Sequence, residues 1–320
     1  MNDGINKDVL VQAKGLVKQF KDKGAVVHAV SNVDLTIYRG ETLCLVGESG
    51  CGKSTLGRLL LRLIEPTAGT VMFEGKDITA MSHEELRNVR KRMQLIFQDP
   101  YASLDPRMSV ARIIGEPLRI HKVGSPKEQE QKIEKLMQDV GIPLEYKSRF
   151  PHQFSGGQRQ RIGIARALAL NPELVVCDEP VSALDVSIQA QILNLLYDLQ
   201  HQYKLTYLFI THDLGVVRYI ATRVCVMFLG KICEISNTED IFCHPRHPYT
   251  RFLLSSTPKP DPKQRKEDKD LLQGEVPSPI DPPSGCRFRK RCPYAKPICS
   301  EKEPPLIEEQ GRQFACHFPL

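Results

Sequence analysis

The stretch Gly47-Glu48-Ser49-Gly50-Cys51-Gly52-Lys53-Ser54-Thr55 constrains this chain more than any other part of it. Its spacing, Gly-X-X-X-X-Gly-Lys-Ser, is that of a phosphate-binding loop. The glycines let backbone N–H groups converge on phosphate oxygens, the lysine ammonium reaches the outer phosphates, and the Ser54 hydroxyl is offered to Mg²⁺. A loop of this kind joins a buried strand to a helix N-terminus, whose unpaired N–H groups favour an anion. Thr42-Leu43-Cys44-Leu45-Val46 suits the strand, and Leu56 to Leu63 suits the helix. The plainer alternative is a glycine turn that only caps a helix.

Further along, Leu174-Val175-Val176-Cys177 is apolar without alternation, as expected of a parallel strand covered on both faces, and it delivers Asp178 and Glu179 to one edge. Ligands collect at the carboxyl edge of such sheets. Two carboxylates ending an apolar strand are costly there unless a metal or hydrogen bonds compensate. Another apolar run, Leu205 to Ile210, leads into Thr211-His212-Asp213. Phe154-Ser155-Gly156-Gly157-Gln158 precedes a helical stretch beginning near Gln158 and carrying Arg159, Arg161 and Arg166, so its N–H groups form a second anion site.

Taken in order, these motifs resemble those of the ATP-binding subunits of ABC transporters, whose signature reads Leu-Ser-Gly-Gly-Gln; here Phe154 replaces the leucine, apolar for apolar. The resemblance implies an α/β fold: an ABC-type P-loop nucleotide-binding domain with a RecA-like core, an antiparallel β subdomain and a helical subdomain, followed by a small Cys-rich C-terminal module. It implies ATP held by Gly47 to Thr55, with Mg²⁺ served by Ser54, Gln98 and, through water, Asp178. Glu179 would polarise the attacking water, and His212, thirty-three residues beyond it, would hydrogen-bond the γ-phosphate. Gln98, in Phe97-Gln98-Asp99-Pro100, would contact Mg²⁺ or that water. Phe20 is the first candidate for stacking on adenine, with Val26 or Val27 as alternatives. Ser155, Gly156, Gly157 and Gln158, and Asp185 in Ser182-Ala183-Leu184-Asp185, would act across a head-to-tail dimer that sandwiches ATP.

With 320 residues and 41% hydrophobic content, the chain has room for one large domain and an appendage. Residues 1–257 are assigned to the nucleotide-binding domain, its helical subdomain at about 99–168; 258–285 is a proline-rich linker and 286–320 the Cys-rich module. Within the first, Ser82-His83-Glu84-Glu85 reads as a capping box opening a basic helix, the charge-rich Gly124 to Lys132 as a break, and Arg223 to Ile235 as a hairpin turning at Gly230-Lys231. No stretch reaches the roughly 18 uncharged apolar residues needed to span a bilayer, and Met1 to Asp8 lacks the apolar core of a signal peptide. A cytosolic or peripheral protein is expected. The net charge of +6 is diluted by length and argues only weakly for anionic partners, so no nucleic-acid partner is expected.

Cys286, Cys292, Cys299 and Cys316 are separated by five, six and sixteen residues. Four cysteines in a short module invite a metal. The spacing is looser than the Cys-X-X-Cys pairs of zinc fingers and does not choose Zn²⁺. Four thiolates also suit a [4Fe–4S] cluster, whose negative charge Arg287, Arg289, Lys290 and Arg291 would offset. Of the other cysteines, several sit in apolar strands as small core residues, while Cys51, beside phosphates at a helix N-terminus, is expected to have some thiolate character.

Cys286 to Pro293 together with His247-Pro248-Tyr249-Thr250 looks like the C-terminal extension of oligopeptide and dipeptide importer ATPases, in which the cysteines hold an iron–sulfur cluster. Gln98 to Arg107 favours the second of their two ATPase subunits. The resemblance therefore implies a sibling ATPase subunit as heterodimer partner, two transmembrane permease subunits, an extracytoplasmic peptide-binding protein, and a peripheral place on the cytoplasmic face of the inner membrane. Nickel or glutathione as cargo is a sibling reading. A soluble ABC ATPase acting on nucleic acid, or a metal-sensing regulator, is of another class, and the absence of a second Gly-Lys-Ser loop and of sustained heptads speaks against the former.

Overall fold

In chain order the apolar and alternating runs form β1 (Val9–Asp22), β2 (Ala25–Tyr38), β3 (Thr42–Val46), α1 (Lys53–Leu60), β4 (Ala68–Phe73), β5 (Lys76–Asp77), α2 (His83–Val89), β6 (Met93–Ile96), α3 (Val110–Ile120), α4 (Pro126–Asp139), α5 (Gly156–Leu168), β7 (Leu174–Asp178), α6 (Val186–Tyr203), β8 (Thr206–Ile210), α7 (Leu214–Ile220), β9 (Arg223–Phe228), β10 (Lys231–Asn237), α8 (Thr238–Cys243), α9 (Pro248–Ser256), α10 (Ile298–Glu301), β11 (Ile307–Glu309) and β12 (Arg312–Phe314). The structure is a computed structural model and describes residues 8–22, 24–256 and 277–320. The leading segment up to Lys7 and most of the expected linker at 258–285 lie outside the described residues.

The chain divides into two compact units. One holds Tyr38–Thr42 and Ala80–Ile210. Its β6, β7 and β8 run parallel, with Ile96 opposite Cys177 and Asp178 opposite Ile210. Every position of β7 and β8 is buried, which is why both read as unbroken apolar runs. Helix α3 packs on α4 and α5, and α5 on α6. Helix α2 opens on the expected capping box, with Ser82 and Glu85 bonded reciprocally.

The stretch expected to break the helical pattern, Gly124 to Lys132, instead starts α4. Ser125 and Glu128 form a second capping box with Pro126 in the first turn, and only Ile133, Leu136 and Met137 are buried. So narrow an apolar stripe looks like solvent-facing loop when polarity is read without its caps.

The other unit holds Val9–Ile37, Leu43–Thr79 and Thr211–Leu320. It contains the antiparallel order β2-β1-β4-β5 and a second set in which β3 pairs in parallel with β9. Strand β9 continues antiparallel through β10 to β12 and β11. The expected β9–β10 hairpin forms, but it turns at Leu229 and Gly230, one residue before the expected Gly230-Lys231, because Lys231 already pairs with Phe228. The segment after residue 277 is fastened here: Phe288 and Phe314 are 2% and 1% exposed, and the Ala315 amide donates to the Cys233 carbonyl at 2.8 Å.

Candidate functional site

Strand β3 is buried at every position and ends where the glycine loop begins. Gly47 has φ +153° and Gly52 φ +104°; a Cβ at either would lie 2.1 Å from a backbone oxygen, that of Met227 or of Ala29. Only glycine fits there, because the collision is with backbone rather than with a movable side chain. Lys53 is 5% exposed. It curls over the loop, its ammonium donating to the carbonyls of Gly47 at 2.8 Å and Glu48 at 2.9 Å. Both acceptors are neutral, so an incoming anion meets a full positive charge. The first turn of α1 has no acidic residue and its N-cap Gly52 makes no side-chain cap, so this helix N-terminus suits an anion.

Cys51 departs from expectation. It is 4% exposed, and burial pushes its thiol above the ordinary value despite the opposing pull of Lys53. A helix N-terminus does not produce thiolate character where solvent is excluded.

In the same unit, Phe20 on β1 is 40% exposed, with the Lys18 ammonium 5.0 Å from its ring centroid. Val26 and Val27 are half-buried on β2. His212 is exposed, in a turn where the Asp213 amide bonds the Thr211 hydroxyl and Asp213 caps α7 through the Gly215 and Val216 amides.

The other unit carries the acidic pair. Asp178, the last residue of β7, is 4% exposed. Glu179 follows with φ +45°, a left-handed conformation that is strained for a side-chain-bearing residue and often found at functional positions. The Gln98 side-chain amide donates to Glu179 Oε2 at 2.9 Å, so two residues eighty-one apart in sequence meet.

Ser155 is the N-cap of α5: its hydroxyl accepts from the Gln158 amide at 3.4 Å, while Gln158 Oε1 accepts from the Ser155 amide at 3.0 Å. The helix starts at Gly156, two residues before the expected point. A Cβ on Gly157 would lie 2.5 Å from Ile188 Cγ2, so this glycine lets α5 approach α6. Phe154 is 5% exposed and meets Tyr146 edge-on, which explains why an aromatic serves in the signature's first position. Arg159, Arg161 and Arg166 donate to the carbonyls of Pro151, Val140 and Ser103, tying α5 to neighbouring loops. Asp185 precedes α6 as its N-cap residue.

Cys286, Cys292, Cys299 and Cys316 all line one cavity, together with His247, Arg289 and His317. The Cys286 amide donates to the Cys299 carbonyl at 2.8 Å. Burial pushes the Cys286 thiol up to about 11, with the other three thiols adding to the rise, and burial raises Cys292 and Cys316 too. Among the described residues, no three His, Cys, Asp or Glu side chains converge closely enough to hold a single metal ion. Arg289 Nη1 is buried on this lining without a hydrogen-bond partner.

The neighbouring basic residues do not all face the thiols. Arg287 donates to the Leu229 carbonyl and the Ser31 hydroxyl. Arg291 grips both carboxylate oxygens of Glu48 at 2.8 and 2.9 Å. The Tyr249 hydroxyl accepts from the Glu48 amide at 3.0 Å. Tyr249 and Arg291 were visible in the sequence only as parts of terminal motifs; nothing in their spacing ties them to Glu48.

Comparison with known proteins identifies the family. The family described as ABC transporter matches residues 30–182, and that described as oligopeptide/dipeptide transporter, C-terminal region, matches residues 233–299. Similar proteins include a putative peptide import ATP-binding protein of Brucella ovis, 53% identical over 96% of this chain and 97% of its own. The oligopeptide transport ATP-binding protein AppF of Bacillus subtilis is 49% identical over 98% of each chain. Among solved structures, the ATP-binding cassette MJ0796, a dimer in a post-hydrolysis state bound to ADP and Pi, is similar with TM-score 0.66 and 29% identity over 72% of this chain and 99% of that one. The cassette cbiO1 of Clostridium perfringens matches with the same TM-score at 27% identity, over 74% and 92%. A glycine loop that admits no side chain, a capped signature helix and near end-to-end likeness thus agree: the chain belongs to the ABC transporter family, in the branch that carries the oligopeptide/dipeptide transporter C-terminal region.

Proposed function

We propose that this chain is the ATP-hydrolysing subunit of an importer of oligopeptides or dipeptides. The observation that carries the reading is the presence, in one chain, of an ABC cassette and the oligopeptide/dipeptide C-terminal region, matched end to end by proteins named for peptide import. Among the described residues no helix is long and apolar enough to cross a membrane; in this reading two transmembrane permease subunits form the passage for cargo. A related ATPase subunit completes a heterodimer, an extracytoplasmic binding protein delivers the peptide, and the chain sits on the cytoplasmic face of the inner membrane.

In this reading the phosphates of ATP replace the carbonyls that hold Lys53, and backbone amides of the loop between Gly47 and Thr55 donate to the remaining phosphate oxygens. Phe20 stacks on adenine. By the family resemblance Ser54, Gln98 and Asp178 would serve Mg²⁺, which would neutralise charge on the phosphates. Water attacks the γ-phosphorus as its bond to the β-phosphate oxygen breaks; Glu179 takes the water's proton, and the Gln98 amide fixes the carboxylate that does so. His212 reads the γ-phosphate. Ser155, Gly156, Gly157, Gln158 and Asp185 complete the partner's nucleotide site, so binding closes the pair and hydrolysis reopens it.

A [4Fe–4S] cluster is the occupant this reading assigns to the cysteine cavity, with Zn²⁺ as the alternative. A cluster spreads its four thiolates around a larger body, and the unpartnered Arg289 Nη1 on the same lining suits an anionic occupant. Its role is to staple a small segment.

The test is made on the complex reconstituted in vesicles. Glu179→Gln is expected to keep ATP binding while steady-state hydrolysis and peptide uptake fall by about 10²–10⁴-fold. Turnover at the wild-type rate would refute the assignment of the base, and hydrolysis indifferent to peptide would refute the cargo.

A further inference from the structure

We propose that Arg291 and Tyr249 are positioning residues for the phosphate loop, through which the cysteine-bearing C-terminal segment sets the affinity for nucleotide. This rests on the reading of the chain as an ATPase but concerns residues outside the nucleotide motifs.

The geometry is specific. Glu48 is the second residue of the loop, beside Gly47, where a Cβ would lie 2.1 Å from the Met227 carbonyl oxygen. Its side chain is 22% exposed and that of Arg291 only 8%. Both carboxylate oxygens are taken by the guanidinium fork, at 2.8 and 2.9 Å. Its backbone amide donates to the hydroxyl of Tyr249, a residue with no exposed surface. Glu48 is therefore held at its side chain and at its main chain by two residues from beyond the cassette motifs, while its carbonyl accepts from Lys53.

Both clamping residues are themselves fixed. The Arg291 guanidinium lies 5.9 Å from the Phe228 ring and 5.6 Å from that of Phe252, and its amide closes a turn on the Phe288 carbonyl at 2.9 Å. Tyr249 stands 4.7 Å from Phe228 and 5.3 Å from Phe288. Phe288 thus links the two, and it sits between Cys286 and Cys292, which line the cysteine cavity. A bidentate Arg–carboxylate pair largely removed from water is short, directional and strong, and a lysine cannot reproduce its two parallel bonds.

A loop already held in its phosphate-accepting shape loses less entropy when ATP binds, so the clamp should act on affinity rather than on the chemical step. The amides that cradle phosphate need Glu48 held still; hydrolysis at Glu179 does not involve it.

The experiment measures ATP affinity with a fluorescent nucleotide, and KM and kcat for hydrolysis, in the full complex. Variants are Arg291→Gln, Arg291→Lys, Glu48→Gln, Tyr249→Phe and the double variant Arg291→Gln/Glu48→Gln. Arg291→Gln and Glu48→Gln are each expected to weaken binding and raise KM about tenfold with kcat within about twofold, a factor that corresponds to about 1.4 kcal/mol at 25 °C. Arg291→Lys should recover part of the loss, and the double variant should be no worse than either single one. If Arg291→Gln does not fold, Glu48→Gln poses the same question from the loop side and Tyr249→Phe poses it through the Glu48 amide. Unchanged affinity in these variants, or losses that simply multiply in the double variant, would overturn the inference and leave the ATPase reading intact. A wild-type chain that binds no ATP would overturn both.

Discussion

Single side chains decide more here than their number suggests, and Glu173 shows how. Arg92 and Arg39 both donate to its carboxylate, which is about one-third exposed. The Arg92 bond does most to hold the carboxyl below its ordinary value, Arg39 helps, and burial opposes. A carboxylate whose pKa is depressed on folding adds stability above its unfolded value and loses it as pH falls through the folded one. Glu173→Gln is therefore expected to cost about 1 kcal/mol at pH 7. The gap to the wild type should close as the pH drops below about 4.3, where the unfolded carboxylate takes up a proton. Melting curves across pH check this; a gap of constant size would contradict it. Cys51 makes the complementary point. Its place in a motif suggested reactivity, yet burial outweighs the lysine beside it.

At the scale of elements, α5 and α6 depend on a missing side chain. Gly157 has ordinary helical surroundings except for Ile188, whose Cγ2 would lie 2.5 Å from an added Cβ. Gly157→Ala should destabilise the protein by about 1–3 kcal/mol through overpacking. Adding Ile188→Ala should recover part of that loss, because it removes the colliding methyl. Chemical denaturation of the two single variants and the double one measures it, and losses that merely add would rule out this contact as the cause. The capping boxes at Ser82, Ser125 and Ser155 are all written in local sequence, but only the one at Ser82 is read from it. The one at Ser125 went unread because α4 buries few residues and its polar surface masked the helical period.

For the whole molecule, the four cysteines make the sharpest case. Cys286 and Cys292 precede α10, Cys299 lies within it, and Cys316 follows β12, so only the packed tertiary structure brings them to one cavity. Protein purified without oxygen is expected to contain iron and acid-labile sulfide, both lost in Cys292→Ser. Stoichiometric zinc with no sulfide would reverse the choice of cluster. The same tertiary packing carries Arg291 to Glu48 across 243 positions of sequence, a partnership that no local pattern announces.

The glycine loop, the signature and the acidic strand were legible in the sequence alone because each is short and its chemistry is backbone chemistry: where a Cβ collides, where an N–H lacks a partner, where an apolar strand ends. Those constraints act over a few residues, so spacing records them. Tertiary structure decided the rest: that Gln98 meets Glu179, that Cys51 is kept from water, and that Arg287 and Arg291 brace the β9–β10 turn and the glycine loop rather than offset a cluster. Burial and long-range pairing set the energies of charged and thiol groups, and both depend on which distant segments pack together.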